Sequence, residues 1–181
     1  RVFVDSAPVM DKAWAKRGGL GWMGKNTNII NPKSGSYFFI AELILDIDLE
    51  EDGPIKDYCG SCTKCIDACP TEALSSYKLD ASKCISYLTI ELKSQIPSEF
   101  KGKMDNWIFG CDICQDVCPW NKKVPLNKSI EAYPKSWVEN LNIESLTWDE
   151  KKWEENLQGT TLKRIKPWMW KRNIKAMLQN G

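Results

Sequence analysis

The eight cysteines constrain this chain more than anything else in it. They run as Cys59-x2-Cys62-x2-Cys65-x3-Cys69-Pro70, then Cys84, then Cys111-x2-Cys114-x3-Cys118-Pro119. Thiols this closely spaced, in a chain expected to carry no leader peptide, are expected to hold metal in a reducing cytoplasm rather than to pair as disulfides. Zinc ribbons use Cys-x2-Cys pairs, but zinc does not account for a Cys-x2-Cys-x2-Cys-x3-Cys-Pro run. Histidine is absent. That removes His-ligated zinc, haem and non-haem iron, any catalytic triad built on histidine, and a histidine lower ligand to cobalt. Acid–base work is left to carboxylates, lysine, tyrosine and cysteine.

The run matches the bacterial two-cluster ferredoxin pattern, in which three close cysteines hold one 4Fe-4S cubane and the fourth ligates the other. Two clusters follow. Cluster 1 takes Cys59, Cys62, Cys65 and Cys118, and cluster 2 takes Cys69, Cys84, Cys111 and Cys114. Where the second run would carry one more cysteine at the same spacing, the chain has Ile108. Cys84 is the only cysteine left to replace it. Crossed ligation puts the clusters within electron-transfer reach, so the module reads as an electron relay. Trp120, just after Cys118-Pro119, is expected to shield a cluster from solvent.

The other segments point to an α+β fold. The 181 residues suit one domain or two small ones, and 43% are hydrophobic, enough for a packed core. A net charge of +1 argues neither for nor against a nucleic-acid partner. No apolar run reaches 18 residues, so no membrane span is expected. Ser6 to Gly18 reads as a helix, with Pro8 in its first turn and Gly18-Gly19 at its end. A glycine-rich loop follows over 19–27, then a short strand over 28–30 and a turn over 31–35. Tyr37 to Leu45 is apolar on both alternating faces except at Glu42, the pattern of a strand buried between two layers. Residues 46–57 read as an acidic loop. Asp80 can cap a helix through about Glu91, and Pro97 can open another that ends near Gly110. Thr147-Trp148-Asp149-Glu150 fits a capping box. From Leu162 the pattern is helical, broken by Pro167.

Segments outside the cysteine pattern carry a resemblance. They are Val4-Asp5-Ser6-Ala7-Pro8, the stretch Gly19-Leu20-Gly21-Trp22-Met23-Gly24-Lys25-Asn26-Thr27, Cys59-Gly60-Ser61-Cys62-Thr63-Lys64-Cys65, Cys84-Ile85-Ser86-Tyr87-Leu88-Thr89, Gly110-Cys111-Asp112-Ile113-Cys114-Gln115-Asp116-Val117-Cys118-Pro119-Trp120-Asn121, and Lys171-Arg172-Asn173-Ile174. Together these resemble epoxyqueuosine reductase, over nearly the whole chain. Reductive dehalogenases are relatives with a similar cobalamin and cluster layout. The resemblance implies a cytoplasmic, cobalamin-dependent enzyme that removes the epoxide oxygen of epoxyqueuosine in a tRNA anticodon loop, giving queuosine. The family's proteins are longer, with an N-terminal region that shares the cobalamin site and helical repeats after the tail. The expected organisation is therefore residues 1–52 as the end of a cobalamin-binding α/β domain, 53–125 as a ferredoxin-like two-cluster domain, and 126–181 as the start of a helical region. The expected partners are the tRNA and an electron donor, with no membrane, and the expected state is a monomer.

The same resemblance implies roles for residues. Asp5 is expected to protonate the leaving oxygen, although alone it reads as a helix cap. Lys25, Asn26 and Thr27 are expected to contact the corrin's amide side chains, joined by Ser36 and Tyr37; the segment also reads as a plain glycine turn. Ser86 and Thr89 are expected near cobalamin and substrate, although such hydroxyls more often bond their own helix. The tail from Lys163 to Lys175 carries six basic residues and no acid. It reads either as a solvated helix face or as a phosphate-contacting surface in which Lys171 and Arg172 meet the tRNA. Two other functions stay open at this point: a ferredoxin-type electron carrier, and a corrinoid reductive dehalogenase. A carrier has no use for the Asp5 and Gly-Lys-Asn segments, and the basic tail disfavours a dehalogenase.

Overall fold

Short helices dictate much of this structure, because turns and metal-loop spacing leave little room for long elements. The structure is a computed structural model that describes residues 2–3, 7–124 and 143–178. Asp5 lies outside the described residues. The chain divides into two units. The first comprises Arg1–Ala68, Leu74–Leu79 and Ile113–Val124; the second comprises Cys69–Ala73, Asp80–Asp112 and Pro125–Gly181. This partition differs from three consecutive segments, since the C-terminal helix groups with the stretch that carries Cys84 and Cys111. Helices and two small antiparallel sheets make up the regular structure, a mixed helix and strand composition. No helix among the described residues is long and apolar enough to cross a membrane.

In the first unit the helix is Asp11–Arg17, shorter than the sequence suggested. The Val9 N–H bonds the Ala7 carbonyl, so Pro8 sits in a turn ahead of the helix. Part of the glycine-rich stretch is a hairpin: Trp22–Met23 pairs antiparallel with Ile29–Ile30, Trp22 opposite Ile30. Its turn closes through the Gly24 N–H to the Asn28 carbonyl at 2.8 Å, with Thr27 left-handed at φ 63°. Gly21 is obligatory here, since a Cβ would stand 2.5 Å from the Ile30 carbonyl oxygen. A second hairpin, which the sequence did not announce, pairs Leu74–Ser75 with Lys78–Leu79. Trp22, Ile30 and Cys118 form the buried centre of this unit.

The expected buried strand over Tyr37 to Leu45 is not one. The segment has no regular structure, and Phe39 and Ile44 are 90% and 94% exposed. An apolar run becomes a strand only where a neighbouring strand takes its backbone groups, and no described segment does so.

In the second unit, Asp80 caps only a 3-10 turn, Ala81–Lys83, accepting from the Ser82 N–H at 3.1 Å. The helix proper is Ile85–Ile90, with Cys84 at its N-cap. Pro97 opens a single 3-10 turn, Ser98–Phe100, instead of a helix to Gly110. Gly102, Asp105 and Asn106 all have positive φ, which ends helical propagation. Asp149, not Thr147, caps the helix Glu150–Leu157, accepting from the Lys152 N–H at 2.8 Å. Thr147 bonds back to the Glu144 carbonyl instead. Pro167 starts the last helix, Pro167–Leu178, rather than breaking it. Its missing N–H falls where a first-turn donor would have no helical partner. The core of this unit has two parts. One is built on Trp148, Trp153, Leu157, Ile165, Met169 and Trp170, and the other on Ile85, Leu88, Phe100, Met104 and Ala176.

Candidate metal centre

Cys59 and Cys62 sit on a tight loop, Cys65 lies in the helical turn Lys64–Asp67 that follows, and Cys118 comes after the turn Ile113–Asp116. Together the four line one cavity of about 290 Å3, whose wall also includes Ile30, Tyr58 and Trp120. None of the eight cysteines is in a disulfide. Among the described residues no three Cys, Asp or Glu side chains converge on a single metal ion. Four thiols spread around a cavity fit a cluster whose separate iron atoms each take one sulfur.

Burial pushes the Cys65 and Cys118 thiols up, and the neighbouring cysteines, Cys59 foremost among them, push them further. Four sulfurs gathered without a cation repel as thiolates, and iron resolves that conflict by coordinating them. Trp22, Tyr58 and Trp120 make an aromatic wall, with Trp22 4.9 Å from Trp120 and 5.2 Å from Tyr58 between ring centroids. Trp120 thus lines the Cys118 cavity, where it was expected to act as a shield. The Trp22 indole N–H points at the Cys59 sulfur at 3.4 Å. Hydrogen bonds to ligand sulfur withdraw electron density and favour the reduced cluster.

Two polar braces hold this loop, and a third ties Ser36 to the Cys118 segment. The Lys25 ammonium donates to the Gly60 carbonyl at 2.7 Å and the Cys62 carbonyl at 2.9 Å. Asp57 accepts from the Cys59 N–H at 2.7 Å and from the Tyr77 hydroxyl at 2.6 Å. Asn121 accepts from the Ser36 N–H and donates to the Ser36 hydroxyl and the Gln115 carbonyl. Burial pushes the Asp57 carboxyl up, but the Tyr77 hydroxyl and the Cys59 donors outweigh it, so the group sits below its ordinary value. The same bond pushes the Tyr77 phenol up to about 12. The brace is therefore complete below the ordinary tyrosine value of 10.0 and is lost as pH climbs through about 12. An alkaline titration of tyrosine absorbance is expected to include a late component from Tyr77. It should vanish in Tyr77→Phe and move back toward 10 in Asp57→Asn.

In the second unit, Cys69 accepts from the Ala73 N–H at 3.3 Å beside the Thr71 hydroxyl. Cys84 opens the helix Ile85–Ile90, and Cys111 packs against the core part that includes Ile85 and Leu88. Cys114 lies in the first unit, where its carbonyl accepts from the Asn26 amide at 3.3 Å.

Comparison with known proteins places this arrangement. Residues 58–121 match the 4Fe-4S double cluster binding domain family. An epoxyqueuosine reductase from Leadbetterella byssophila is 68% identical over 151 residues, covering 83% of this chain and 48% of that protein. The chain belongs to the epoxyqueuosine reductase family. A solved epoxyqueuosine reductase with an epoxyqueuosine-modified tyrosine tRNA stem loop is 36% identical, with a TM-score of 0.83 over 99% of this chain and 48% of that one. The Bacillus subtilis epoxyqueuosine reductase, solved with its catalytic aspartate loop swung out of the active site, is 37% identical, with a TM-score of 0.79 over 94% of this chain and 46% of that one. The chain spans about half the length of the curated relatives it matches.

Several residues that epoxyqueuosine reductase suggested for cobalamin are turned inward. Asn26 is buried, and its side chain bridges the Cys114 carbonyl and the Asn28 N–H. Ser36 is buried, and its hydroxyl is spent on Gln115 and Asn121. Lys25 holds the cysteine loop, and Tyr37 bonds Asp116. Thr89 is fully buried, its hydroxyl donating to the Ile85 carbonyl and accepting from the Gly110 N–H. Asn26, Ser36 and Thr89 are therefore buried and bonded within the protein. Thr27 and Ser86 are half-buried and keep the expectation.

Arg172 needs the same correction. Its guanidinium is buried and bonds the Leu88, Leu92 and Ser94 carbonyls, so it cannot meet a phosphate. Arg164 pairs with Glu91 at 2.7 Å. Lys163, Lys166, Lys171 and Lys175 are exposed. Sequence reasoning missed the Asp57–Tyr77 brace and the burial of Arg172 and Asn173. A carboxylate two residues before Cys59 was the one available hint of the first.

Proposed function

We propose that this chain is the cluster-bearing part of an enzyme that reduces epoxyqueuosine to queuosine in a tRNA anticodon loop, using cobalamin and two 4Fe-4S clusters. The cavity walled by Cys59, Cys62, Cys65 and Cys118 carries the reading, because it supplies the all-thiolate donor set a relay needs. The second cluster takes Cys69, Cys84, Cys111 and Cys114 on the strength of the ferredoxin spacing. When bound, cobalamin supplies low-valent cobalt to open the epoxide, and the clusters supply electrons singly.

The chain's own residues bind, brace and protonate. Asp5 donates one of the two protons with which the epoxide oxygen leaves as water, the other coming from solvent, a role supported by the catalytic aspartate loop of the Bacillus subtilis relative. Thr27, and Ser86 within its own unit, would each offer a hydroxyl to the corrin. Lys171, with Lys163, Lys166 and Lys175, meets the tRNA phosphates, where counterion release favours binding. The relative solved with a modified tRNA stem loop supports this substrate. Residues 1–52 belong to a cobalamin-binding domain. A cytoplasmic monomer served by a separate electron donor fits these roles.

The test is an anaerobic assay of the intact protein, reconstituted with iron, sulfide and cobalamin, on epoxyqueuosine tRNA with a reductant. Queuosine is the expected product, from a protein holding about eight iron atoms. One zinc per chain, or no conversion by the fully loaded protein, would overturn the reading.

A further inference from the structure

The second cysteine run lacks a ligand at position 108, so its cluster must draw Cys84 from a separate helix. In an uninterrupted run, local backbone geometry sets the distance between successive ligands. Here something else must set it between the Cys84 helix and the Cys111 segment.

A buried polar network spans that gap within the second unit. Asn173, fully buried, donates to the Thr89 carbonyl at 2.8 Å and to the Ile108 carbonyl at 2.9 Å. One amide group thus grips the end of the Cys84 helix and the residue standing where the missing cysteine would be. Thr89 makes the second tie, since its hydroxyl accepts from the Gly110 N–H at 3.0 Å, next to Cys111. Arg172 braces the helix side of the first tie. It donates to the Leu88 carbonyl at 2.8 Å and the Leu92 carbonyl at 2.7 Å, and it fixes the Asn173 amide by donating to its oxygen at 2.9 and 3.0 Å. Carbonyls in the last turn of a helix lack helical partners, so these donors satisfy groups that would otherwise be buried unpaired.

Apolar packing alone would hold these segments together but would tolerate sliding. Directional bonds to Thr89, Ile108 and Gly110 fix both separation and register. A buried guanidinium is costly and is retained where every donor has an acceptor.

We infer that Arg172, Asn173 and Thr89 form the positioning element of the second cluster, holding the Cys84 helix and the Cys111 segment at ligating distance. The inference rests on the reading that Cys84 and Cys111 ligate one cluster.

Thr89→Val keeps a β-branched side chain of similar volume and removes the tie to Gly110. Thr89→Ser keeps the hydroxyl. In the intact reconstituted protein, Thr89→Val is expected to release about half its iron to a chelator roughly tenfold faster than the parent, the usual scale for a lost partner behind a metal ligand. The other half should leave at the parental rate, and only one of the two reduced-cluster EPR signals should change. Thr89→Ser should behave as the parent. In the metal-depleted protein, amides at 84–92 and 108–111 should exchange faster in Thr89→Val. Asn173→Asp, which places an acceptor against two carbonyls, should give the same selective loss. A parent that holds a second cluster, with Thr89→Val releasing it no faster or releasing both clusters equally, would overturn the inference alone. A parent that binds only one cluster would overturn the ligation reading and the inference with it.

Discussion

Replacing Cys84 with alanine is expected to halve the iron of the reconstituted protein, from about eight atoms to about four. On the proposed assignment cluster 1 takes the four thiols that line the cavity of the first unit, and Cys84 is not one of them. Cys84 is at the N-cap of Ile85–Ile90 with φ −68° and ψ 127°, outside the helix it precedes. Alanine keeps that backbone accessible, so the loss should be of the ligand and not of the helix. The surviving cluster should keep the parental spectrum, because the Trp22 bond to Cys59 and the Lys25 bonds to the loop are untouched. Turnover should fall to background if both clusters form the electron path. Iron measured per chain and EPR of the reduced protein decide the matter. Equal loss from both clusters would mean that Cys84 supports the fold and ligates nothing.

Asp5→Asn is expected to lower turnover of the intact enzyme on epoxyqueuosine tRNA by roughly 10²-fold or more, with clusters and cobalamin still bound. The amide matches the carboxyl in shape but has no acidic proton for the departing oxygen. An enzyme that depends on this acid should also lose part of its pH dependence, since one titrating group leaves the profile. Single-turnover rates of parent and variant across pH check both points. A near-parental rate would return Asp5 to the role of a helix cap.

The double-cluster domain was legible in the sequence because its signature is local: three of the cysteines assigned to cluster 1 lie within seven consecutive positions, 59–65. What depended on distant partners was not legible. Arg172 looked like its basic neighbours because a charge pattern does not register that Leu88, Leu92 and Ser94 present carbonyls to it. Asn26 and Ser36 were expected to contact the corrin, yet their partners stand some 80 residues away at Cys114, Gln115 and Asn121. Pro167 was misread for a different reason: the same ring that breaks a helix interior is welcome at its first residue, and only the start position tells the two apart. The expected strand over Tyr37 to Leu45 failed because periodicity reports what a segment can bury and not whether a neighbour is present.

That exposed segment has a consequence for handling the protein. Phe39, Leu43 and Ile44 in solvent, on backbone not committed to any sheet, are a template for pairing with a second molecule. Asp46, Asp48, Glu50, Glu51 and Asp52 follow directly and place a block of like charge beside the template. Such flanking charges act as gatekeepers, because stacking copies in register would stack the carboxylates as well. Acidification or high salt removes that repulsion, so preparations of this chain should keep best near neutral pH at modest ionic strength.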